Sequence, residues 1–187
     1  MRVVAGTLRG RRLRAPEGSG TRPTSDRVRE ATFNALSSLD VIRDASVLDL
    51  FAGSGALGIE ALSRGAAHAT FVEQSRPALH VLRANLRDLG VEGRSTVVPM
   101  DALRFVAGER ACFDLALADP PYAFTSWPEL LPGVPARFLV AEASAELDLV
   151  DAGDVWEAVR SKRYGRTVVT ILARRPVIGD APPERVA

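Results

Sequence analysis

Four acids stand beside stretches that read as strands: Asp49 within V-L-D-L, Glu73 closing A-T-F-V-E, Asp101 after S-T-V-V-P-M, and Asp119 after F-D-L-A-L-A. Between the first two lie Gly53, Gly55 and Gly58, spaced G-x-G-x-x-G, and Glu73 follows Gly53 by twenty residues. Glycines in such a turn let the backbone approach a ligand closely, and the first N–H groups of the helix beyond have no partners within that helix. A carboxylate at the position of Glu73 offers two oxygens to a pair of ribose hydroxyls. The spacing therefore admits a nicotinamide dinucleotide. Asp49 counts against it, because it sets a negative charge where an anionic pyrophosphate would rest. A cationic ligand suits the same acids better, and S-adenosylmethionine carries a sulfonium, an ammonium and a ribose but no phosphate.

The second cluster is the tetrapeptide Asp119-Pro120-Pro121-Tyr122, placed at the carboxyl end of the apolar run Phe113 to Ala118. Proline locks φ and has no N–H, so a carbonyl held there is presented rigidly. With D-L-F-A-G-S-G, F-V-E and D-P-P-Y in that order, the chain resembles S-adenosylmethionine-dependent methyltransferases acting on an exocyclic amino group of a nucleic-acid base. With the opening M-R-V-V-A-G and the segment G-T-R-P-T-S-D-R-V-R-E, it is similar more narrowly to the RsmD-type bacterial 16S ribosomal RNA methyltransferases, which modify the guanine 2-amino group. That resemblance runs from Met1 to about Ala173.

The resemblance implies a cofactor set of Asp49, Phe51, Ala52, Gly53, Ser54, Gly55, Glu73, Gln74, Asp101, Ala102 and Asp119, with S-adenosylhomocysteine as product. Asp101 would meet the adenine amino group, although an acid capping the short helix from Ala102 explains it nearly as well. Asp119, Pro120, Pro121 and Tyr122 form the catalytic set. A guanine amino group is a poor nucleophile, so two acceptors, the Asp119 carboxylate and the Pro120 carbonyl, would orient its lone pair and stabilise the positive charge that develops. Tyr122 would offer a flat face to a base removed from its stack. His68, His80 and Cys112 make no metal-ligand spacing, so no metal is expected. Cys112 reads as a small buried residue, and Trp127 and Trp156 as packing residues, Trp127 close enough to D-P-P-Y to line a cleft.

Strands alternating with helices require an α/β fold, a Rossmann-like doubly wound sheet covered on both faces. The expected strands are Val47 to Leu50, Ala69 to Glu73, Ser95 to Pro99, Phe113 to Ala118, Arg137 to Glu142, Trp156 to Arg160 and Thr167 to Ala173, with Lys162 to Arg166 as the last turn. Helices are expected from Thr24 or Ser25 to Leu39, with Val28, Ala31, Ala35 and Leu39 buried; from Ala56 to Gly65; from Ser75 and Pro77 to Gly90; and over Ser126 to Leu131. By resemblance the sheet has seven mainly parallel strands, the last inserted antiparallel between the fifth and sixth.

The 187 residues, 47% of them hydrophobic, suit one core. Net charge is +1, but residues 1 to 29 carry eight arginines against two acids, which leaves −5 for the rest. Arg2 to Ala5 and Arg11 to Arg14 read as a basic N-terminal β-hairpin. The expected division is therefore a basic arm over 1–20, a methyltransferase domain over 21–175 and a loose tail over 176–187. Arg2, Arg9, Arg11, Arg12, Arg14, Arg22 and Arg27 are the candidate phosphate contacts, since guanidinium forks fit phosphate oxygens. The one cysteine and the lack of a leader or membrane-spanning run point to a cytoplasmic protein; a monomer is expected, and the resemblance implies 16S ribosomal RNA as its partner, in a partly or fully assembled small subunit. The competing readings are a DNA adenine or cytosine amino methyltransferase, a non-catalytic RNA-binding assembly factor and, most distantly, a nicotinamide oxidoreductase.

Overall fold

The computed structural model describes residues 1–15, 26–109, 111–149 and 155–175. Its sheet has seven strands: β1 (Ser46–Leu50), β2 (His68–Val72), β3 (Ser95–Val98), β4 (Phe113–Ala118), β5 (Ala136–Ala143), β6 (Trp156–Tyr164) and β7 (Thr167–Arg174). The helices are α1 (Asp26–Ser38), α2 (Ala56–Ser63), α3 (Arg76–Leu89), α4 (Ala102–Gly108) and α5 (Trp127–Leu130). The strand order is β3-β2-β1-β4-β5-β7-β6, and β7 runs antiparallel to both of its neighbours while the other pairings are parallel. The expected mainly parallel sheet with an inserted antiparallel strand is thus present.

Period-2 alternation divides the strands between two cores. Val47, Leu115, Leu117, Val140 and Ile171 join Phe33 of α1, Ile59 of α2 and Leu82 of α3 on one face. Leu48, Ala116, Leu139 and Leu172 join Phe105 of α4 and Leu130 of α5 on the other, where Trp156 is buried and donates its indole N–H to the Leu131 carbonyl at 2.8 Å. The central strands are buried on both faces, which is why they read as unbroken apolar runs. α3 is the most legible helix: Pro77 opens it, Leu79, Leu82, Leu86 and Leu89 are buried, and Gly90 closes it at φ +69°.

Three local expectations change. α1 buries Arg29, Thr32, Phe33, Ala35 and Leu36, whereas Leu39 is exposed, so its inner face is rotated from the Val28, Ala31, Ala35, Leu39 stripe. The cause is tertiary, because Arg29 is drawn inward to Glu60 of α2. Thr24 and Ser25, the expected caps, lie outside the described residues. β6 continues through Tyr164, so the turn to β7 contains only Gly165 and Arg166. The N-terminal segment forms one isolated antiparallel bridge, Arg2 to Arg12, and not the two strands of a regular hairpin.

That segment is fastened to the body. Val3 and Leu13 are buried in the first core, each side chain worth roughly 1.5–3 kcal/mol on burial. Glu60 accepts from Val4 N at 2.7 Å and Ala5 N at 3.0 Å, Ser63 Oγ donates to the Ala5 carbonyl and accepts from Leu8 N, and Asn85 accepts from Arg14 N. The Arg29 guanidinium donates to the Arg2 carbonyl and to Asp26. Residues 1–15 therefore complete the domain's core, and deleting them would expose apolar surface and take from Glu60 its two backbone donors and from Arg29 its backbone acceptor. Glu60→Ala leaves the fully buried Arg29 with Asp26 as its remaining counter-charge and the Val4 and Ala5 N–H groups without their acceptor, and is expected to lower unfolding free energy by about 3–5 kcal/mol, measured by urea denaturation. A change below about 1 kcal/mol would contradict this account of the clamp.

Candidate active site

The glycine turn is built from left-handed backbone. Phe51 has φ +61°, Gly53 +55° and Gly55 +83°. Such a conformation is unusual for Phe51, and strain of this kind gathers at functional sites. At Gly55 a Cβ would stand 2.4 Å from Leu82 Cδ1, and at Gly58 it would stand 2.3 Å from Phe71 Cε1, so both glycines let α2 lie close against its neighbours. Gly53 differs: a Cβ there would have only the Phe51 carbonyl within 4 Å, at 3.9 Å, and that side of the turn is open.

Two carboxylates hold the turn. Asp49, almost wholly buried, accepts from Gly58 N at 2.8 Å, and Glu73 accepts from Gly53 N at 2.8 Å and from Ser75 N at 2.7 Å. The Gly53 and Gly58 N–H groups are therefore spent within the protein and do not greet a ligand directly. A carboxylate has about four lone-pair sites, so Glu73 keeps acceptor capacity beyond those two bonds. Burial pushes the Asp49 carboxyl up to about 7; the Gly58 hydrogen bond opposes this, and the negative charges of Asp119 and Glu73 add to it. Three acids from three strand ends thus converge on one turn.

Asp101 caps α4 by accepting from Arg104 N at 3.0 Å, and Ala102 packs its side chain into the second core. Ala52 donates its N–H to Val72, Ser54 passes its carbonyl to Asn85, and Gln74 is exposed at the rim. Asp119 is half-buried and Pro120 buried, while Pro121 and Tyr122 face solvent, Tyr122 at 56% exposure. The Pro121 carbonyl accepts from Phe124 N at 2.8 Å, which folds the chain back after the tetrapeptide.

Two contributors were not read from the sequence. Phe124 stacks edge-on to Phe51 at 5.1 Å and to Trp127 at 5.3 Å, making an aromatic wall between the glycine turn and the D-P-P-Y turn. Its signal was present as Y-x-F-x-x-W following the prolines. Thr167 Oγ1 lies 3.2 Å from the Tyr122 hydroxyl, a pairing across 45 residues that no local pattern announces.

The arginines divide by environment. Arg2 faces Asp26 at 3.6 Å, Arg14 pairs with Asp88 at 2.7 Å and Arg11 donates to the Asp88 carbonyl. Arg9, Arg12 and Arg27 are exposed and form no ion pair among the described residues. A concavity of about 270 Å³ between the N-terminal segment and α1 is bordered by Arg2, Arg9 and Arg27. Arg22 lies outside the described residues. Cys112 is exposed and not buried, because it precedes β4 and stands beyond the pleat that would have covered it. No group of three metal-ligating side chains occurs among the described residues.

Residues 1–173 match the family model described as Conserved hypothetical protein 95. The Bacillus subtilis (strain 168) protein YlbH, provisionally named an rRNA methyltransferase, is 36% identical over 185 residues, which cover 94% of this chain and all of that protein. Ribosomal RNA small subunit methyltransferase D of Escherichia coli (strain K12) is 47% identical over 122 residues, 65% of this chain and 60% of the relative. Among solved structures, the Escherichia coli protein yhhF, provisionally named a methyltransferase, superposes with a TM-score of 0.83 at 36% identity, covering 93% of this chain and 97% of that one.

The buried Asp49 carboxyl should leave a mark on stability. Its value is raised from 3.8 to about 7, so between those pH values the folded protein holds a proton that the unfolded chain has released. The resulting stabilisation is complete below pH 3.8 and is lost as pH rises to about 7. Its upper bound is about 4 kcal/mol. Asp49→Asn, which still accepts from Gly58 N, is expected to remove this slope, so that urea unfolding at pH 5 and pH 8 differs by at least about 1 kcal/mol less in the variant than in the wild type. Equal slopes would mean that Asp49 is ionised throughout.

Proposed function

The chain belongs to the Conserved hypothetical protein 95 family, that of the RsmD-type methyltransferases, and on that premise we propose that it transfers a methyl group from S-adenosylmethionine to the 2-amino group of a guanine in 16S ribosomal RNA. The observation that carries the reading is the placing of Glu73, bonded to Gly53 N, and of Asp119 near the buried Asp49, at a glycine turn whose Gly53 side is open. Clustered carboxylates attract a sulfonium and an ammonium and repel a pyrophosphate, which disfavours the nicotinamide reading of the same glycines. When bound, S-adenosylmethionine supplies an electrophilic methyl on sulfur and departs as S-adenosylhomocysteine. Glu73, fixed by two backbone N–H groups, would accept the ribose hydroxyls, and Asp101 and Gln74 would border the adenine. The Phe51, Phe124 and Trp127 wall would exclude water from the space between the cofactor and the base.

Asp119 and the Pro120 carbonyl accept the two N–H bonds of the guanine amine and turn its lone pair towards the methyl. In-line positioning of this kind is the main demand of a one-step displacement. As the C–N bond forms and the S–C bond breaks, nitrogen gains positive charge, which Asp119 stabilises. The proton then leaves from the alkylated nitrogen, by then much more acidic, to Asp119 or water. Tyr122 lies exposed beside these acceptors with its hydroxyl held by Thr167, so its ring can take one face of an extruded base. Arg9, Arg12 and Arg27 would hold the phosphodiester backbone from the N-terminal side.

Labelled methyl transfer to small ribosomal subunits lacking the modification, to naked 16S RNA and to DNA tests the reading. The expected product is 2-methylguanosine in the subunit or its RNA. Asp119→Ala should reduce the rate by about 100- to 1,000-fold, with a far smaller change in S-adenosylhomocysteine affinity by calorimetry. Label confined to DNA would move the assignment to a DNA amino methyltransferase. Arg9→Glu with Arg12→Glu, both at exposed sites, should weaken RNA binding tenfold or more without altering S-adenosylhomocysteine affinity, as read by fluorescence anisotropy and calorimetry.

A further inference from the structure

β6 is the edge strand of the sheet, and almost everything after Trp156 in it is exposed. Its far half and the turn beyond carry Arg160, Lys162, Arg163 and Arg166 and no acid, the strand's one acid, Glu157, lying at its start. None of the four cations forms an ion pair among the described residues; Lys162 Nζ lies 5.3 Å from the centroid of the Tyr164 ring. A basic edge has an ordinary explanation, since charge along an exposed strand discourages pairing with another chain. Position argues for more. β7 is antiparallel to β5, with Val168 opposite Ala143 at the carboxyl end of β5, so the β6–β7 turn projects at the same end of the sheet as the D-P-P-Y turn. Thr167, the residue after Arg166, contacts the Tyr122 hydroxyl at 3.2 Å. Gly165, at φ +61°, makes the turn tight, and Arg163 and Arg166 on either side of it are exposed.

We infer that the tip of the β6–β7 hairpin, through Lys162, Arg163 and Arg166, is a second RNA-backbone contact that grips the phosphodiester beside the base presented to Asp119 and Tyr122. The inference rests on the proposed reaction for the identity of its ligand. It separates the recognition surface into two parts. Val3 and Leu13 of the N-terminal segment and Val169 and Ile171 of β7 belong to one core, so the N-terminal arginines and this hairpin are carried by the same layer. RNA held by both would be fixed at two places along its backbone, and the base is extruded at the hairpin end. Extrusion costs a few kcal/mol, and phosphate contacts close to the flipped nucleotide can offset it directly. The Tyr122–Thr167 contact joins the base platform to the backbone grip, so that the two move as a unit.

The test reverses three charges, Lys162→Glu, Arg163→Glu and Arg166→Glu. This keeps the edge charged and so preserves any role in preventing strand pairing, while removing the phosphate contacts. Binding of fluorescently labelled 16S RNA by anisotropy is expected to weaken at least tenfold, with a shallower dependence of log K on log salt, and KM for RNA should rise by a similar factor while S-adenosylhomocysteine affinity stays within twofold. A reversal at the opposite end of the sheet, Arg43→Glu with Arg137→Glu, should cost less than threefold. Unchanged RNA affinity in the triple variant, or equal losses from the two reversals, would overturn the inference. RNA binding is read separately from methyl transfer, so a wild-type protein that binds RNA through the hairpin yet labels no guanine would count against the proposed reaction and leave this surface standing.

Discussion

The structure depends on a turn held by its own carboxylates. Gly58 N is taken by Asp49 and Gly53 N by Glu73, and these two bonds tie α2 to the first strand and the glycine loop to the end of the second. Each acid therefore has a structural duty before any ligand arrives. The cost appears in Asp49, where burial and the neighbouring charges favour the protonated carboxyl. Such strain is tolerable where a cation completes the charge balance. The unusual backbone at Phe51 belongs to the same economy of space, since it swings that ring against Phe124 and encloses the opposite side of the cleft.

A second buried charge system serves another end. Glu60 and Arg29, both buried, draw partners from the backbone of the N-terminal segment, from Asp26 of α1 and from Arg64, although Arg29 Nε and Nη1 make no hydrogen bond. This converts an arginine-rich stretch that looks like an appendage into part of the core. Its outward residues can then meet phosphate from a defined position, without the entropy loss of ordering a free tail. The positive charge counted in the first 29 residues is thus not all available to a polyanion: Arg29 is internal, and Arg2 and Arg14 face acids of the body.

The site is assembled from strand ends distant in sequence. β1 leads into the glycine turn and β4 into D-P-P-Y, and the antiparallel β7 brings Thr167 to Tyr122 from the far side of the sheet. The inserted strand is what makes this possible, because only an antiparallel strand starts at the end where its parallel neighbours finish. Without it, Thr167, at the start of β7, would stand at the opposite pole of the sheet from Tyr122.

Much of this was legible in the chain. Unbroken apolar runs, Gly53, Gly55 and Gly58, the spacing to Glu73, Pro77 and Gly90 around α3, and D-P-P-Y at a strand end are local signals, and local signals survive because backbone conformation and amphipathic period are set by near neighbours. What the tertiary structure decided involves groups that meet across long separations. Arg29 turns inward because Glu60 waits there, which rotates α1 away from the face that hydropathy alone selects. Leu39 and Cys112 are exposed although their types suggest burial, and Phe124 and Thr167 join the site through contacts that no period in the sequence encodes. Hydrophobic pattern determines which elements form and in what order; the pairing of buried charges and the direction of one inserted strand determine which of their ends meet.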